Sequence, residues 1–360
     1  MLYEDEKKRF YKQPDPAVTV YGPTNCRRKL MNAVLVAGGA GYIGSQTVSE
    51  LIPRGIPVVV LDNLSTGHRE AVRSPYFYEG DIADRDLVDY VIRKHAIRSL
   101  IHFAAKSQIG ESWRRPEAYF YENTAKSFVF LETAIKAGVC NLVFSSTAAV
   151  YGTPDQCPIR EEARLAPINP YGASKRMIEE YLQWIGSLRK VNWMILRYFN
   201  AAGAAMDGSL GEDHRPETHL IPLIMQSMLQ GTELSVFGTD YDTRDGTCIR
   251  DYVHVSDLAQ AHILALQALR EGQPGRALNV GTGQGFSVRE VIEESQRVSG
   301  LSLRLKYESR REGDPPVLVA DNSRLFKMGW RAQYSQLPIL LATAWNWHKN
   351  HPRGYRDTAC

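Results

Sequence analysis

The sequence of 360 residues contains few cysteines and no long hydrophobic run. Its five cysteines are widely spaced and odd in number, with neither a Cys-x-x-Cys pair nor a histidine spacing typical of zinc. We therefore expect no disulfide framework and no metal site. No stretch of 18 apolar residues occurs, which argues against a membrane-spanning helix. These absences predict a cytoplasmic protein that does not interact with membranes.

Charge of one sign is not concentrated anywhere in the chain. Lys and Arg number 43 against 40 Asp and Glu, a net charge of +3 without a basic stripe, so nucleic acid is not an expected partner. The first 30 residues are rich in charged residues, tyrosine and proline and lack the apolar core of a signal peptide. We interpret residues 1–30 as a poorly ordered extension and expect the fold to begin near Met31.

Short apolar runs alternate with longer amphipathic segments between residues 31 and 200. This alternation predicts an α/β fold, a doubly wound parallel sheet of Rossmann type with helices on both faces. The predicted strands are 33–37, 57–61, 76–78, 99–103, 141–145 and 193–197, and the predicted helices are 43–52, 84–95, 117–137 and 170–188. After Asn200, stretches rich in Gly and Asp interrupt this alternation of strand and helix patterns. The interruption indicates a smaller C-terminal lobe that binds substrate.

A glycine-rich turn connects the first predicted strand to the first predicted helix. Gly38, Gly41 and Gly44 allow a sharp turn and a close approach of the backbone to a pyrophosphate at the helix N-terminus. The second predicted strand ends in Asp62, whose carboxylate would accept hydrogen bonds from an adenosine ribose and so favours NAD over NADP. Glycine triplets alone also occur in ordinary tight turns, but the flanking strand, helix and acid favour a nucleotide site.

Tyr171 and Lys175 stand at positions i and i+4 at the start of a predicted helix, so their side chains share one face. A tyrosine phenol titrates near pH 10, but a neighbouring ammonium and a positive nicotinamide ring would favour the phenolate, which can act as a base. Ser145 and Thr147 follow the preceding strand, and the Thr147 hydroxyl could bond the same substrate oxygen as Tyr171. The alternative is an exposed amphipathic helix on which this pair has no chemical role.

Several longer motifs carry a family resemblance: GGAGYIGS (38–45), LDNLSTGHR (61–69), HFAAKSQIGES (102–112), FSSTAAVYG (144–152), NPYGASK (169–175), LRYFNAAGA (196–204), GEDHRPETHLIP (211–222) and DGTCIRDYVHVSDLA (245–259). On these motifs the sequence resembles the extended short-chain dehydrogenases/reductases and, within them, the family of UDP-glucose 4-epimerases, from residue 31 to about residue 350. The resemblance implies an NAD-binding Rossmann unit over 31–200, completed by a later strand and helix from about 250–280. It assigns residues 201–249 and 281–350 to a UDP-sugar-binding lobe.

The resemblance also implies which residues contact each ligand. The NAD contacts are Tyr42, Ile43, Asp62, Asn63, Asp81, Ile82, Phe103, Ala104, Ala105, Asn123, Ser145, Tyr171, Lys175 and Phe199. The sugar-nucleotide contacts are Thr147, Asn200, His219, Leu220, Arg250, Tyr252, Arg311 and Asp314. Physical chemistry agrees in part, since the forked donors of Arg250 and Arg311 suit a diphosphate, whereas His219 alone could equally be a structural histidine.

The implied reaction interconverts UDP-glucose and UDP-galactose. Tyr171, assisted by Lys175 and Thr147, removes the 4-hydroxyl proton while hydride passes from C4 to NAD⁺; the 4-keto sugar then turns over, and hydride returns to the opposite face. The family also implies a homodimer in which helices 117–137 and 170–188 pair with their copies.

Three alternatives remain open. Leu318 occupies the position that limits the size of the C2 substituent, so a UDP-N-acetylhexosamine is conceivable, and Thr343 to Tyr355 resembles UDP-arabinose 4-epimerases, which leaves UDP-arabinose or UDP-xylose. A non-catalytic NAD(P)-sensing regulator is a different class, but the complete Thr, Tyr and Lys set argues against it. Ala148 and Ala149 cannot transfer protons and argue against a dehydratase.

Overall fold

The computed structural model describes residues 33–311 and 314–357; the predicted extension, residues 1–30, lies outside these ranges. The strands are β1 Val34–Ala37, β2 Val58–Asp62, β3 Tyr76–Glu79, β4 Ser99–His102, β5 Asn141–Thr147, β6 Asn192–Tyr198, β7 Asn200–Ala202, β8 Glu233–Phe237, β9 Ile249–His254, β10 Arg276–Val280, β11 Gly285–Ser287, β12 Arg304–Glu308 and β13 Val317–Leu318. The helices are α1 Tyr42–Leu51, α2 Arg85–Lys94, α3 Ile109–Arg114, α4 Pro116–Tyr119, α5 Lys126–Ala137, α6 Pro170–Arg189, α7 Leu220–Gln230, α8 Val255–Arg270, α9 Val288–Ser299, α10 Ser323–Lys327 and α11 Leu337–Asn350. No helix within the described ranges is long and apolar enough to span a bilayer.

Seven parallel strands form the main sheet, in the order β10-β6-β5-β4-β1-β2-β3. β1 and β2 are buried along their whole length, as their uninterrupted apolar sequences require in a sheet covered on both faces. The strand order reverses between β1 and β4, so a crevice opens at the carboxyl ends of these strands. The predicted doubly wound α/β fold is confirmed.

Helices cover both faces of this sheet. On one face, Val88 of α2, Phe130 of α5 and Leu182 of α6 pack in a single apolar cluster with the strands. On the other face, the corresponding cluster includes Leu51 of α1 and Leu266 of α8. The glycine turn, which leads into α1, and the helix that carries Tyr171 and Lys175, α6, are therefore both supported by buried apolar clusters on the main sheet.

The later part of the chain builds a smaller sheet around β9. This strand pairs with β7 and β13 in parallel and with β11 in antiparallel orientation. Helices α7, α9 and α11 enclose a separate apolar cluster that includes Ile224, Val291 and Leu341. This sheet and cluster make up what we call the C-terminal lobe.

The predicted strands and helices agree with the structure to within two residues at each end, with one internal difference. The predicted helix 117–137 contains a π-helical turn over Phe120–Ala125 between α4 and α5. Such turns often occur at functional sites, and this one carries Asn123. β5 also runs two residues beyond its predicted end, which places Ser146 and Thr147 within the strand.

A buried ion pair connects α6, the helix that carries Tyr171 and Lys175, to the main sheet. Glu179 is fully buried, and its carboxylate accepts hydrogen bonds from Arg197 of β6, with the shortest distance 2.6 Å. The Ser146 hydroxyl donates to the same carboxylate at 2.5 Å, and the other side of the Arg197 guanidinium donates to the Tyr151 hydroxyl and the Glu161 carbonyl at 3.0 Å. Both charges are therefore fully hydrogen-bonded, which compensates for their removal from water.

Glu179→Ala should lower the free energy of unfolding by about 3–5 kcal/mol, because the Arg197 guanidinium would remain buried without its counter-ion. Denaturant unfolding followed by circular dichroism measures the change. The neighbouring Glu180→Ala is the matched control, since Glu180 is exposed and its ion pair with Arg176 should be worth at most about 1 kcal/mol. Equal losses in the two variants would contradict the assigned role of the buried pair.

Candidate functional site

The glycine turn between β1 and α1 leaves no room for side chains at Gly38 and Gly44, so a ligand could approach its backbone closely. Gly38 has φ +81°, and a Cβ there would lie 2.5 Å from the backbone nitrogen of Ala104. A Cβ on Gly44 would lie 2.1 Å from the Gly38 carbonyl oxygen. Gly41 is the N-cap of α1, so the free N–H groups of the first helical turn face the crevice. This arrangement fits the pyrophosphate of a dinucleotide.

Asp62 stands at the carboxyl end of β2, beside the turn. Its Oδ2 accepts the N–H of Ala40 and its Oδ1 accepts the N–H of Leu64, each at 2.9 Å. Burial raises the pKa of Asp62, and these two N–H donors partly offset that effect. Each carboxylate oxygen keeps a second lone pair, which can accept a ribose hydroxyl. The position and bonding of Asp62 fit its predicted contact with NAD.

Two further predicted NAD contacts, Asn63 and Asp81, lie together beside β2 and β3. The Asp81 carboxylate accepts Lys126 Nζ at 2.6 Å and Asn63 Nδ2 at 3.2 Å. Burial alone would raise the pKa of Asp81, but the hydrogen bonds from Lys126 and the backbone of Ala83 outweigh it and lower the pKa. Ile82 is buried next to this pair.

The segment after β4 closes the other side of the crevice. The N–H groups of Phe103 and Ala104 both donate to the Ala37 carbonyl, at 2.8 and 3.0 Å, so the segment lies directly against the glycine turn. The fully buried Asn123 accepts the Lys106 N–H and donates to the Lys106 carbonyl and the Ser174 hydroxyl. Asn123 therefore joins the end of the segment Phe103, Ala104 and Ala105 to α6.

Tyr171 and Lys175 occupy one buried face of α6, opposite the end of β5. Lys175 Nζ donates to the Ser145 carbonyl at 3.0 Å and lies over the Phe144 ring. Burial lowers the pKa of Lys175 to about 7, against the opposing effect of the Glu179 charge. Burial also raises the pKa of Tyr171 well above its ordinary value, while the Thr147 hydroxyl acts to lower it. The predicted residues are thus together, and Tyr171 is a neutral phenol unless further positive charge arrives.

Four of the predicted sugar-nucleotide residues lie at β9: Arg250 and Tyr252 on the strand, Asn200 on its neighbour β7, and Asp314 in an ion pair with Arg250. Asn200 of β7 is the register partner of Tyr252, and Leu318 of β13 is the register partner of Arg250. Arg250 forms an ion pair with Asp314 and keeps further N–H donors for a phosphate. The Arg311 guanidinium stacks over the Phe237 ring at 4.0 Å.

The remaining predicted contacts are His219 and Leu220 at the start of α7, Phe199 between β6 and β7, and Tyr42 and Ile43 at the start of α1. His219 precedes α7, Leu220 is its first residue, and Phe199 connects β6 to β7 in the cluster around Ala148. Burial alone would lower the pKa of His219, but the charge of Glu212, 2.5 Å away, outweighs it and raises the pKa to about 9. The Tyr42 hydroxyl donates to the Gly203 carbonyl at 2.6 Å, and Ile43 packs, partly buried, against the apolar cluster that includes Leu51 and Leu266.

Sequence reasoning missed the supporting residues of the site. Glu179 follows Lys175 by four positions and Tyr171 by eight, so its charge lies on the same helix face, a signal that was present in the sequence. Arg197 stands inside an otherwise apolar strand, which is a second signal of a buried charge. Their pairing could not be read from the sequence because it depends on how α6 crosses the sheet.

Known proteins similar to this chain in sequence and fold identify its family. A profile described as the NAD dependent epimerase/dehydratase family matches residues 34–281. The UDP-glucose 4-epimerase of Streptococcus mutans is 47% identical over 331 residues, which cover 90% of this chain and 99% of that protein. The chain belongs to the NAD dependent epimerase/dehydratase family.

Two solved structures extend the comparison. UDP-glucose 4-epimerase from Brucella ovis in complex with NAD superposes with a TM-score of 0.85 at 45% identity, covering 87% of this chain and 97% of that one. UDP-glucose 4-epimerase from Stenotrophomonas maltophila with bound NAD and formylated UDP-arabinopyranose superposes with a TM-score of 0.86 at 39% identity, covering 89% and 99%. The isomerase class and NAD as the cofactor, both predicted from the motifs, are confirmed for this member of the epimerase family.

Gly44→Ala should weaken NAD binding roughly ten- to hundredfold, because overpacking typically costs about 1–3 kcal/mol. The dinucleotide content of the purified protein and a titration of NAD measure the loss, and the bound form should be NAD because Asp62 would repel a 2′-phosphate. Gly110→Ala is the control, since a Cβ at Gly110 meets no atom within 4 Å. Wild-type NAD content in folded Gly44→Ala would contradict the proposed fit.

Proposed function

We propose that this chain interconverts UDP-glucose and UDP-galactose by oxidation and reduction at C4 of the sugar. The observation that carries the proposal is the placement of Tyr171 and Lys175 beside Thr147, at the crevice where the glycine turn would hold the dinucleotide. NAD⁺, when bound, supplies a hydride acceptor and a positive charge beside Tyr171. The chain's own residues then have to orient the sugar and move one proton.

Tyr171 is the proposed proton acceptor for the 4-hydroxyl group. Without added positive charge its burial keeps the proton on the phenol, and a positive charge nearby lowers a phenol pKa because it favours the anionic form. Lys175 contributes to the same end when protonated, and its pKa of about 7 allows it to gain or lose a proton near neutrality. Thr147 can relay the proton or hold the sugar oxygen next to Tyr171.

The C-terminal lobe is the proposed anchor of the UDP group. Arg250 and Arg311 offer forked donors to the diphosphate, while Asn200, Leu220 and Tyr252 would line the remaining nucleotide and sugar contacts. Asp314 pairs with Arg250 and so orients this guanidinium. The proposed division is an NAD-binding unit, 31–200 with 250–280, and a UDP-sugar lobe, 201–249 with 281–350. Because β9, Ile249–His254, belongs to the small sheet of the C-terminal lobe, Arg250 and Tyr252 stand at the boundary between the two.

A second candidate substrate is a UDP-pentose, favoured by the UDP-arabinopyranose derivative bound to the Stenotrophomonas relative. The C-terminal motif that suggested it has a packing role here, since Trp347 and Tyr355 are buried against each other. Turnover of UDP-glucose, UDP-galactose, UDP-xylose and UDP-N-acetylglucosamine would separate the candidates, with Leu318 as the residue to vary.

The proposed compartment is the cytoplasm, and the proposed assembly is a homodimer. Free thiols at Cys140, Cys157 and Cys248 suit a reducing compartment. α6 carries an apolar stripe at helical spacing, Met177, Tyr181, Trp184 and Leu188, of which Trp184 and Leu188 are 70% and 71% exposed. A groove of about 350 Å³ beside it, lined by residues of α5 and α6 that include Phe128, Ile135 and Ile185, would receive the partner's helices.

Tyr171→Phe should lower turnover by about 10²- to 10⁴-fold or more, because it removes the ionisable oxygen and keeps the ring. Interconversion of UDP-glucose and UDP-galactose by NAD-loaded protein measures the effect. Tyr307→Phe, at an exposed tyrosine of β12, is the matched control and should retain full turnover. Near wild-type activity of Tyr171→Phe would overturn its assignment as the proton acceptor.

Light scattering at micromolar concentration should give twice the 40.5 kDa mass of one chain. Trp184→Glu should shift the protein toward the monomer, because a charge in the apolar stripe would be desolvated on association. Leu301→Glu changes an exposed apolar residue outside α5 and α6 and should leave the mass unchanged. A monomeric wild-type protein would rule out the proposed dimer.

A further inference from the structure

The segment that precedes α7 gathers two carboxylates and two imidazoles. Glu212, His214, Glu217 and His219 each offer one ligand atom, and these four atoms lie within 4.8 Å of one another. Nδ1 of His219 is 2.5 Å and Nδ1 of His214 is 3.1 Å from the same Glu212 oxygen. This cluster, which we call the Glu-His cluster, lies outside the groups used in the proposed hydride and proton transfer.

Two atoms of the Glu-His cluster are buried without a hydrogen-bond partner. The Glu217 side chain is only 4% exposed; its Oε1 accepts the N–H groups of Thr218 and His219 at 2.7 and 2.8 Å. Its Oε2 has no hydrogen-bond partner among the described residues; Nδ1 of His214, 3.9 Å away, lies 3.1 Å from Glu212 Oε1 but does not form a hydrogen bond of normal geometry with it. Buried polar atoms are normally satisfied, and leaving one unpaired costs about 1–3 kcal/mol. Both atoms belong to residues of the cluster, so a further binding partner held there would satisfy them.

We propose that the Glu-His cluster binds one transition-metal ion, with zinc as the expected metal. Two imidazole nitrogens and two carboxylate oxygens are ligands that four-coordinate zinc accepts, whereas magnesium and calcium prefer oxygen ligands alone. A divalent cation neutralises both carboxylates, and it accepts the lone pairs of Glu217 Oε2 and His214 Nδ1. The ligands follow the spacing Glu-x-His-x-x-Glu-x-His, which a search for Cys and His pairs overlooks.

The surroundings of the cluster indicate a structural role for the metal. The Tyr42 ring packs edge-on against His214, and His68 and Tyr355 each hydrogen-bond to Asp213 within the segment. His219 leads directly into α7 and its first residue, Leu220. The metal would therefore fix the start of α7 against the nucleotide turn, with no part in hydride transfer.

Metal analysis of the untagged, NAD-loaded protein tests the proposal. We expect close to one zinc per chain after gel filtration, loss of that zinc on dialysis against a chelator, and a rise of several degrees in Tm when zinc is restored. Cobalt added to the metal-depleted protein should give the visible absorption of a tetrahedral site. This readout needs no substitution and no enzyme assay.

Glu217→Gln and His214→Gln should each abolish stoichiometric zinc binding and the Tm response. Glu233→Gln, at an exposed glutamate of β8, is the matched control and should bind zinc like the wild type. If either cluster variant fails to fold, the cobalt spectrum of the wild-type protein decides. Substoichiometric zinc in folded wild-type protein, with no cobalt spectrum and no change in Tm, would overturn the proposal and leave the cluster to be stabilised by the contact of His219 with Glu212 and its other hydrogen bonds.

Discussion

The buried ion pair of Glu179 and Arg197 determines where the proposed chemistry takes place. It fixes α6 to β5 and β6 one helical turn beyond Lys175 and two turns beyond Tyr171. Because the pair is removed from water, its strength depends on geometry, and any rotation of α6 would leave a buried charge unpaired. The position of Tyr171 against Thr147 therefore follows from a contact that itself takes no part in the reaction.

The same pair affects the electrostatics of the site. The negative charge of Glu179 opposes the effect of burial on Lys175, so that the pKa of this lysine is lowered only to about 7. Without that charge, burial would favour the neutral amine further, and less positive charge would be available to stabilise a Tyr171 phenolate. The Glu179 carboxylate thus both holds α6 on the sheet and raises the pKa of Lys175 against the effect of burial. This double role explains why a charged residue lies in the packed interface between α6 and the sheet.

Local pattern was sufficient to predict most of the NAD-binding unit. Short, largely apolar runs identified β1, β2 and β4, and the glycine turn with Asp62 predicted the position of the dinucleotide crevice, because each signal lies within a few adjacent residues. The π-helical turn at Asn123 and the partners of Arg197 depend on contacts between distant segments, so the sequence pattern does not contain them. The sugar-nucleotide residues came from family motifs alone, since short elements such as β7 and β13 have no distinctive periodicity.

Inversion at C4 requires the sugar to turn while the nucleotide stays fixed, and β9 provides a physical basis for that division. Arg250 and Tyr252 stand on this strand, which runs directly into α8, and Ser256 of α8 accepts a hydrogen bond from Gln46 of α1 at 3.2 Å. The proposed anchor for the UDP group is thus connected through one helix to the turn proposed to hold the dinucleotide. Tyr171, Lys175 and Thr147 belong to the sheet and α6 instead. If the proposed sites hold the UDP group and NAD on these packed elements, the part of the substrate left free to turn is the sugar and its linkage to the diphosphate.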